Sequence, residues 1–455
     1  MNDSRIACFT LAATAAALVL TGCGAGSRMT ENPAHPVVAQ VQGEMHGGQQ
    51  PIANATLQLY SVGTSGYGSA ATPLFSPAIT TNANGGFTFP SNYCPTDASA
   101  LVYLVGIGGQ PAGAGTNITN SNEAEMVVLG PCNSLNSGTH IRINELTTVA
   151  AVWALAPFMS GNTNAYLNIG SSLTNATGIQ LAFEAAQELV NTSNGSVGGL
   201  ALPAGATLPT TEMNTLADIL AQCINSAGGT ADDTNCGKLF VDARNSSGSF
   251  APTDTITAAL NIAQNPARNV SLLFNLIPPT PVFESVLPSA PTAWTIAIQY
   301  TGGGLNAPTA IATDQSGNVW VANSGASTVS EFDNLGNSKL GSTGTSTGTG
   351  APTGLAIDQA GNAWITVSTA NTLFEVSPTG TLGSPITGNG QDQPTGLAID
   401  GNGVIWVVNS NGNTVSAFNN AGTAIAGSPF SGAGIASPTA IAVNSSANAN
   451  CSDCH

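Results

Sequence analysis

The spacing of apolar residues changes several times along the chain, and each change predicts a different kind of element. Phe9 to Leu20 (FTLAATAAALVL) is an apolar run, shorter than the about 20 residues a spanning helix needs and suited to the core of an export signal. Residues 37–139 alternate with a period of two in Val37-Val38-Ala39-Gln40-Val41, Ala55-Thr56-Leu57-Gln58-Leu59-Tyr60 and Phe87-Thr88-Phe89. Turn residues separate these runs, so strands are expected. Over 140–277 the period becomes 3.6. Leu146, Val149, Ala150 and Trp153 share one helical face, ended by Pro157, and Ile179, Ala182, Phe183, Ala186 and Val190 share another. A third helix follows from Met213, Leu216, Ala217, Leu220 and Ile224, with Thr210 or Thr211 as its cap. Ile256, Ala259, Leu260 and Ala263 predict a fourth; Val270, Leu273 and Phe274 predict a fifth, entered through Asn265-Pro266. Trp153 and Phe183 read first as core residues and second as the wall of a ligand pocket. Five prolines between Pro278 and Pro291 make 278–292 an extended connector.

From residue 293 onward the chain repeats itself. Ala307-Pro308-Thr309-Ala310-Ile311-Ala312-Thr313-Asp314 leads to Gly317-Asn318-Val319-Trp320-Val321. The pattern returns at Ala351-Pro352-Thr353-Gly354-Leu355 with Trp364, at Gln393-Pro394-Thr395-Gly396-Leu397 with Trp406, and at Ser437-Pro438-Thr439-Ala440-Ile441. A period of 42–44 residues and this composition fit one β-propeller blade per repeat. These strings resemble NHL repeats, the family that includes streptogramin-lyase-like propellers. The resemblance implies that Pro-Thr-Gly opens the inner strand, Asp-x-x-Gly turns the hairpin, and the tryptophan run forms the second strand. Thr328 to Phe332, Thr372 to Val376 and Thr414 to Phe418 would form the third. The repeated aspartates then serve turns and the tryptophans pack between blades. Gly341 to Gly350 (GSTGTSTGTG) reads as a flexible excursion, and Trp294 to Tyr300 as an outer strand of a closing blade. The fourth copy lacks tryptophan after Val443. An open fan of three blades, a truncated reading frame, or closure by self-association with a second chain are the expectations.

The strand-rich stretch resembles the carboxypeptidase regulatory-like β-sandwich family. The resemblance rests on Gly43 to Gly48 before Pro51-Ile52-x-x-Ala55-Thr56-Leu57-x-Leu59, and on Thr81-Asn82-Ala83-Asn84-Gly85-Gly86-Phe87. It implies a spacer or adhesion module. The expected fold is thus multidomain α+β: a small β-sandwich (37–139), an α-helical middle domain (140–277), and a partial NHL-type β-propeller (293–455) of three blades plus the start of a fourth.

Composition narrows the chemistry. Only 7% of residues are charged and acids outnumber bases 24 to 7, giving a net charge of −17. No face can be strongly cationic, so nucleic acid is excluded as a partner. Leu20-Thr21-Gly22-Cys23 resembles the lipobox of bacterial lipoproteins. That implies a signal peptide over 1–22, lipid on Cys23, a tether over 23–36, and a membrane partner reached through the lipid. Gly24 in place of Asp points to the outer membrane of the cell envelope. Beyond Cys8 and Cys23 six cysteines remain, and 15 pairings are possible for six. Locality favours Cys94 with Cys132 and Cys223 with Cys236. Cys451-Ser452-Asp453-Cys454-His455 fits C-x-x-C-H, the haem c attachment motif, although no downstream fold is present to bury a porphyrin. A lyase of the streptogramin-inactivating type would need a histidine acid/base and metal-holding carboxylates. The repeats offer only His455 and a single basic residue, Lys339. His35, His46 and His140 have no evident nucleophile or metal partner, and Glu331, Asp333 and Glu375 read as solvated groups at strand ends. No catalytic residue or metal site is assigned, and haem c at Cys451, Cys454 and His455 is the one cofactor considered. A lipid-anchored binding or scaffold protein with a protein or glycan ligand is the first reading; the lyase is the second.

Overall fold

The computed structural model describes residues 40–443 except 200, 201, 204 and 349. The expected signal segment, Cys23, the expected tether, and Cys451, Cys454 and His455 lie outside the described residues.

The N-terminal strands build two five-stranded sheets. One contains Gln42–Gly47, Gln50–Ala53, Gly86–Thr88, Gln110–Pro111 and His140–Ile143; the other contains Thr56–Ser61, Thr72–Pro73, Ile79–Thr80, Leu101–Ile107 and Ala124–Pro131. They meet face to face where Met45 of the first lies against Gly106 of the second, a contact that leaves no room for a Cβ. The turn into Gly86–Thr88 is held by Asn82, whose Oδ1 accepts the amides of Asn84 and Gly86 at 2.8 and 3.0 Å. Gly85 sits there at φ +74°, and a Cβ would strike the Met45 carbonyl.

The middle region does not stand apart as the sequence suggests. His140–Ile143 runs parallel to Gln42–Met45 and completes the first sheet, so the stretch expected to be helical from residue 140 opens with a strand of the sandwich. Its alternation is only four residues long and is masked by the helix that follows. The helices are α1 (Glu145–Leu155), α2 (Ala176–Leu189), α3 (Thr210–Ile224), α4 (Asn235–Asp242), α5 (Thr255–Gln264) and α6 (Val270–Phe274). Together with the sheets they enclose one continuous apolar core running from Val41 to Trp294. α1 starts on Asn144, whose side chain accepts the Thr147 amide while Thr147 Oγ1 accepts the Asn144 amide. It is buried on nearly all sides, as befits a central helix. The edge strand Ala124–Pro131 would offer unpaired backbone groups. Threonine hydroxyls satisfy them: Thr148 Oγ1 accepts the Met126 amide at 3.0 Å and Thr255 Oγ1 the Ala124 amide at 2.8 Å.

Several local expectations are corrected. α3 begins after Pro209 with no side-chain cap, so neither Thr210 nor Thr211 serves. α6 begins after Asn269, and Asn265 instead ends α5, its amide bonding back to Asn261 and Ile262. α4, which the apolar spacing did not predict, is capped by Thr234 Oγ1 accepting the Gly237 amide at 2.9 Å. Trp294 does not enter a blade strand; it is buried in the sandwich–helix core, and its carbonyl accepts Trp153 Nε1–H at 3.0 Å.

The repeats form three separate four-stranded antiparallel blades. The first comprises Pro308–Thr313, Val319–Asn323, Thr328–Phe332 and Thr345–Ser346. The second comprises Pro352–Ile357, Ala363–Val367, Thr372–Val376 and Ile386–Thr387; the third, Pro394–Ile399, Ile405–Asn409, Thr414–Phe418 and Phe430–Ser431. Thr345–Ser346 lies within the glycine-rich stretch read as an excursion, and it pairs with Thr328–Val329. Each Pro-Thr motif reaches the next copy by the same bond: Thr309 Oγ1 donates to Pro352 O at 2.8 Å, Thr353 Oγ1 to Pro394 O at 2.9 Å, and Thr395 Oγ1 to Pro438 O at 3.2 Å. The fourth copy therefore docks on the third blade, although Pro438–Val443 is not paired as a strand. Among the described residues the three blades do not close into a barrel.

Candidate binding sites at the two ends of the fan

Strand alternation gives each blade two faces. In the first blade Trp320, Ala322 and Val329 point toward the second blade, where they meet Leu355, Ile365 and Phe374. In the second, Trp364 and Leu373 meet Leu397, Val407 and Phe418 of the third. Among the described residues two faces remain without a neighbouring blade: the leading face of the first and the trailing face of the third.

Repeat equivalence makes the leading face measurable. Ile311 occupies the position of Leu355 and Leu397, which are 8% and 9% exposed; Ile311 is 69% exposed. In place of a preceding blade stand α2 and the segment 296–305, separated from the blade by a cleft of about 640 Å³. Its walls are Leu181, Trp153, Ile296 and Ile298 on one side and Ile311, Val319, Val321 and Phe332 on the other. Phe183, by contrast, is buried in the core. Glu184, Glu188, Tyr300 and Asp333 supply polar groups. Tyr300 Oη donates to Glu188 Oε2 at 3.3 Å, and Asn334 Nδ2 bridges the blade to Glu184. Burial, together with the neighbouring Glu184 and Asp333 charges, raises the Glu188 carboxyl above its ordinary range, partly offset by the Tyr300 bond. Burial and then the Glu188 charge push the Tyr300 phenol up to about 12.

At the trailing face, Trp406 is half-buried where its equivalents Trp320 and Trp364 are fully buried. It packs against Phe430, 39% exposed, with ring centroids 5.8 Å apart.

The residues singled out from sequence fall mostly into the scaffold. Cys94 is joined to Cys132 and Cys223 to Cys236, the second bridge tying α3 to α4. The repeated aspartates are saturated by their own turns. Asp358 accepts the amides of Ala360 and Asn362 (2.9 Å each), Asn362 Nδ2 (3.0 Å) and Trp364 Nε1 (3.0 Å). Asp400 accepts Trp406 Nε1 in the same way. Burial alone would raise these carboxyls; the donated bonds outweigh it and hold them low. Asp333 likewise accepts the amides of Leu335 and Asn337. Glu331 is not solvated: it is fully buried and ion-paired to Lys339 at 2.7 Å, its charge neutralised by the one cation in the repeats. His46 lies beside Arg142 and Glu44, and His140 is exposed. Among the described residues no group of three or more His, Cys, Asp or Glu side chains is arranged to hold a metal ion.

Sequence reasoning missed three buried glutamates. Glu123, Glu125 and Glu145 are all fully buried. Glu145 accepts the Gly48 amide on both carboxylate oxygens at 2.8 Å, whereas the four oxygens of Glu123 and Glu125 have no hydrogen-bond partner. The available signal was the pair Glu123-x-Glu125 entering the apolar run Met126-Val127-Val128-Leu129 in a chain with few charges.

The architecture is that of a propeller-type fan carried on a mixed α+β body. No family model matches the chain, and no curated protein matches it. Among solved structures, a streptogramin B lyase is similar over 31% of this chain and 47% of its own, at 14% identity and a TM-score of 0.28. A catalytically inactive virginiamycin B lyase from Staphylococcus aureus with quinupristin matches over 31% and 46%, at 20% identity and 0.27. The hydrazine synthase of Kuenenia stuttgartiensis matches over 31% and 40%, at 14% and 0.27. The chain spans less than half the length of each.

Proposed function

We propose that the chain is an exported, lipid-anchored envelope protein that binds a protein partner through NHL-type blades. The observation that carries this reading is the trailing face of the third blade. The same face is closed in the first two blades by an aliphatic sheet surface bearing Leu355 or Leu397. A partner presenting a similar sheet would bury Trp406 and Phe430 in the same manner, and this favours protein over glycan. Aromatic side chains of this kind commonly anchor interfaces. Export is supported by the apolar run before Cys23 and by two disulfides, which persist in oxidising compartments. No helix among the described residues is long and apolar enough to cross a membrane; attachment, by the lipoprotein resemblance at the outer membrane, rests on Cys23.

Two measurements test the proposal. Cys23→Ser should move the protein from the membrane fraction to the soluble one. A photo-crosslinking residue placed at Phe430 should trap a discrete protein adduct in intact cells, while the same residue at Leu173, 79% exposed on the helical layer, should not. Equal adducts at both positions, or a carbohydrate adduct alone at Phe430, would overturn it.

A further inference from the structure

The cleft at the leading end of the fan is a second site, independent of the trailing face. Its volume of about 640 Å³ lies in the range of clefts that take small organic ligands, roughly 300–1,000 Å³. Four observations define what it would accept. Its two walls are aliphatic and aromatic, so an apolar body is required. Its charged and phenolic groups are three acids and one tyrosine: Glu184 and Glu188 from α2, Tyr300 from the segment beside it, and Asp333 from the turn after Thr328–Phe332; Thr313 and Asn334 are the neutral polar residues of the lining, and Asn334 Nδ2 already donates to Glu184. None of the five Lys and Arg residues within 40–443 lines it; Arg142 and Lys339 are ion-paired elsewhere, and Lys238, Arg244 and Arg268 belong to the α4–α6 region. Glu188 is only 3% exposed yet has just the 3.3 Å bond from Tyr300. A buried carboxylate with one long bond and two acidic neighbours is under-compensated, and it is stabilised by whatever brings positive charge and N–H donors into the cleft.

We propose that this cleft binds a small amphipathic cation, an amine carried on an apolar body. The ammonium group sits among Glu188, Glu184 and Asp333, while the apolar body lies between Leu181 and Ile298 on one side and Ile311 and Val321 on the other. A carboxylate ligand is repelled by the same three acids, and an uncharged ligand of the same shape gains only the apolar contact.

The test is calorimetric titration of the mature protein with three probes of one skeleton: 4-phenylbutylamine, 4-phenylbutan-1-ol and 4-phenylbutyrate. The amine should bind at least about tenfold more tightly than the alcohol, a difference of ~1.4 kcal/mol, and the acid most weakly. Glu188→Gln should reduce the amine to the level of the alcohol and leave the alcohol unchanged. Ile311→Arg should abolish both; it changes an exposed side chain, so the variant folds, and the loss places binding in the cleft. Amine binding should also weaken as the pH falls and Glu188 takes up its proton, while alcohol binding stays constant. Equal affinity for amine and alcohol, preference for the acid, binding that survives Ile311→Arg, or no binding of any probe would each overturn the proposal. Photo-crosslinking at Phe430 is untouched by every one of these outcomes.

Discussion

The buried glutamates predict an unusual dependence of stability on pH, and Glu145 permits the magnitude to be worked out. Burial pushes its carboxyl from 4.5 up to about 8, against the lowering effect of the Gly48 amide bonds. The unfolded chain therefore releases this proton near pH 4.5, and the folded chain holds it to about 8. Between those values the folded state binds more protons, so stability is fully present below pH 4.5 and is lost as the pH rises to about 8. The slope is ~1.4 kcal/mol per pH unit for one retained proton, and the whole interval gives about 5 kcal/mol as a ceiling for this residue. Burial, followed by repulsion from Glu145, also pushes Glu123 and Glu125 well up, so the wild-type slope exceeds that of a single proton. Glu145→Gln is the apt perturbation, because an amide oxygen still accepts the Gly48 amide and no proton is involved. Urea unfolding followed by circular dichroism at pH 6.5, 7, 7.5 and 8 avoids most of the titration of Asp218, raised by burial to about 6. Stability of the wild type should fall across this series, and the variant's slope should be shallower by about 1 kcal/mol per pH unit on average, approaching ~1.4 only at the low-pH end. Stability that rises with pH, or a variant with the wild-type slope, would refute the reasoning.

Other outcomes follow from the blades and the bridges. Asp358→Ala removes the acceptor of four bonds and should cost roughly 2 kcal/mol, read as a lowered urea midpoint and faster exchange of the Trp364 indole proton. Thr353→Val should destabilise by about 1 kcal/mol in the same unfolding assay. Thr395→Val should cost less, because its bond is longer and its acceptor belongs to an unpaired segment. Replacing Cys223 and Cys236 together by serine should cost about 3 kcal/mol, and Cys94 with Cys132 about 4 kcal/mol. The larger value follows from a sequence separation of 38 against 13, and denaturation under reducing and non-reducing conditions checks the order.

The blades were legible because every copy repeats the same compromise among turn, strand and tryptophan, so each position was seen three times. Their fourth strands were not: Thr345–Ser346 is two residues long, and its pairing is fixed by Thr328–Val329 rather than by any local pattern. The same limit hid the joint core of sandwich and helices. His140–Ile143 earns its strand by pairing with Gln42–Met45, about a hundred residues away. α4 is an eight-residue helix with Gly237 and Lys238 in its first turns, so its period is too short to read; Thr234 and the Cys236 bridge hold it. The cleft was half visible. Of Trp153 and Phe183, the two residues that could be read as a pocket wall, Trp153 lines the cleft and Phe183 does not, and the opposite wall belongs to a blade more than 150 residues further on.

The placement of α2 against the first blade makes the fan directional under load. One end of the stack is tied to α2 across the cleft by the Asn334–Glu184 bond, whereas the other is held by its preceding blade and the Thr395–Pro438 bond. A pull applied beyond Val443 should therefore peel the blades in strict order, third, second, first, before it reaches the body. Each step frees one repeat of 42–44 residues, or roughly 150 Å of chain at about 3.4 Å per residue. Fastened to a surface at its N-terminal side and to a partner at its trailing face, such a stack would lengthen in equal increments under tension, yielding length before it yields its anchor.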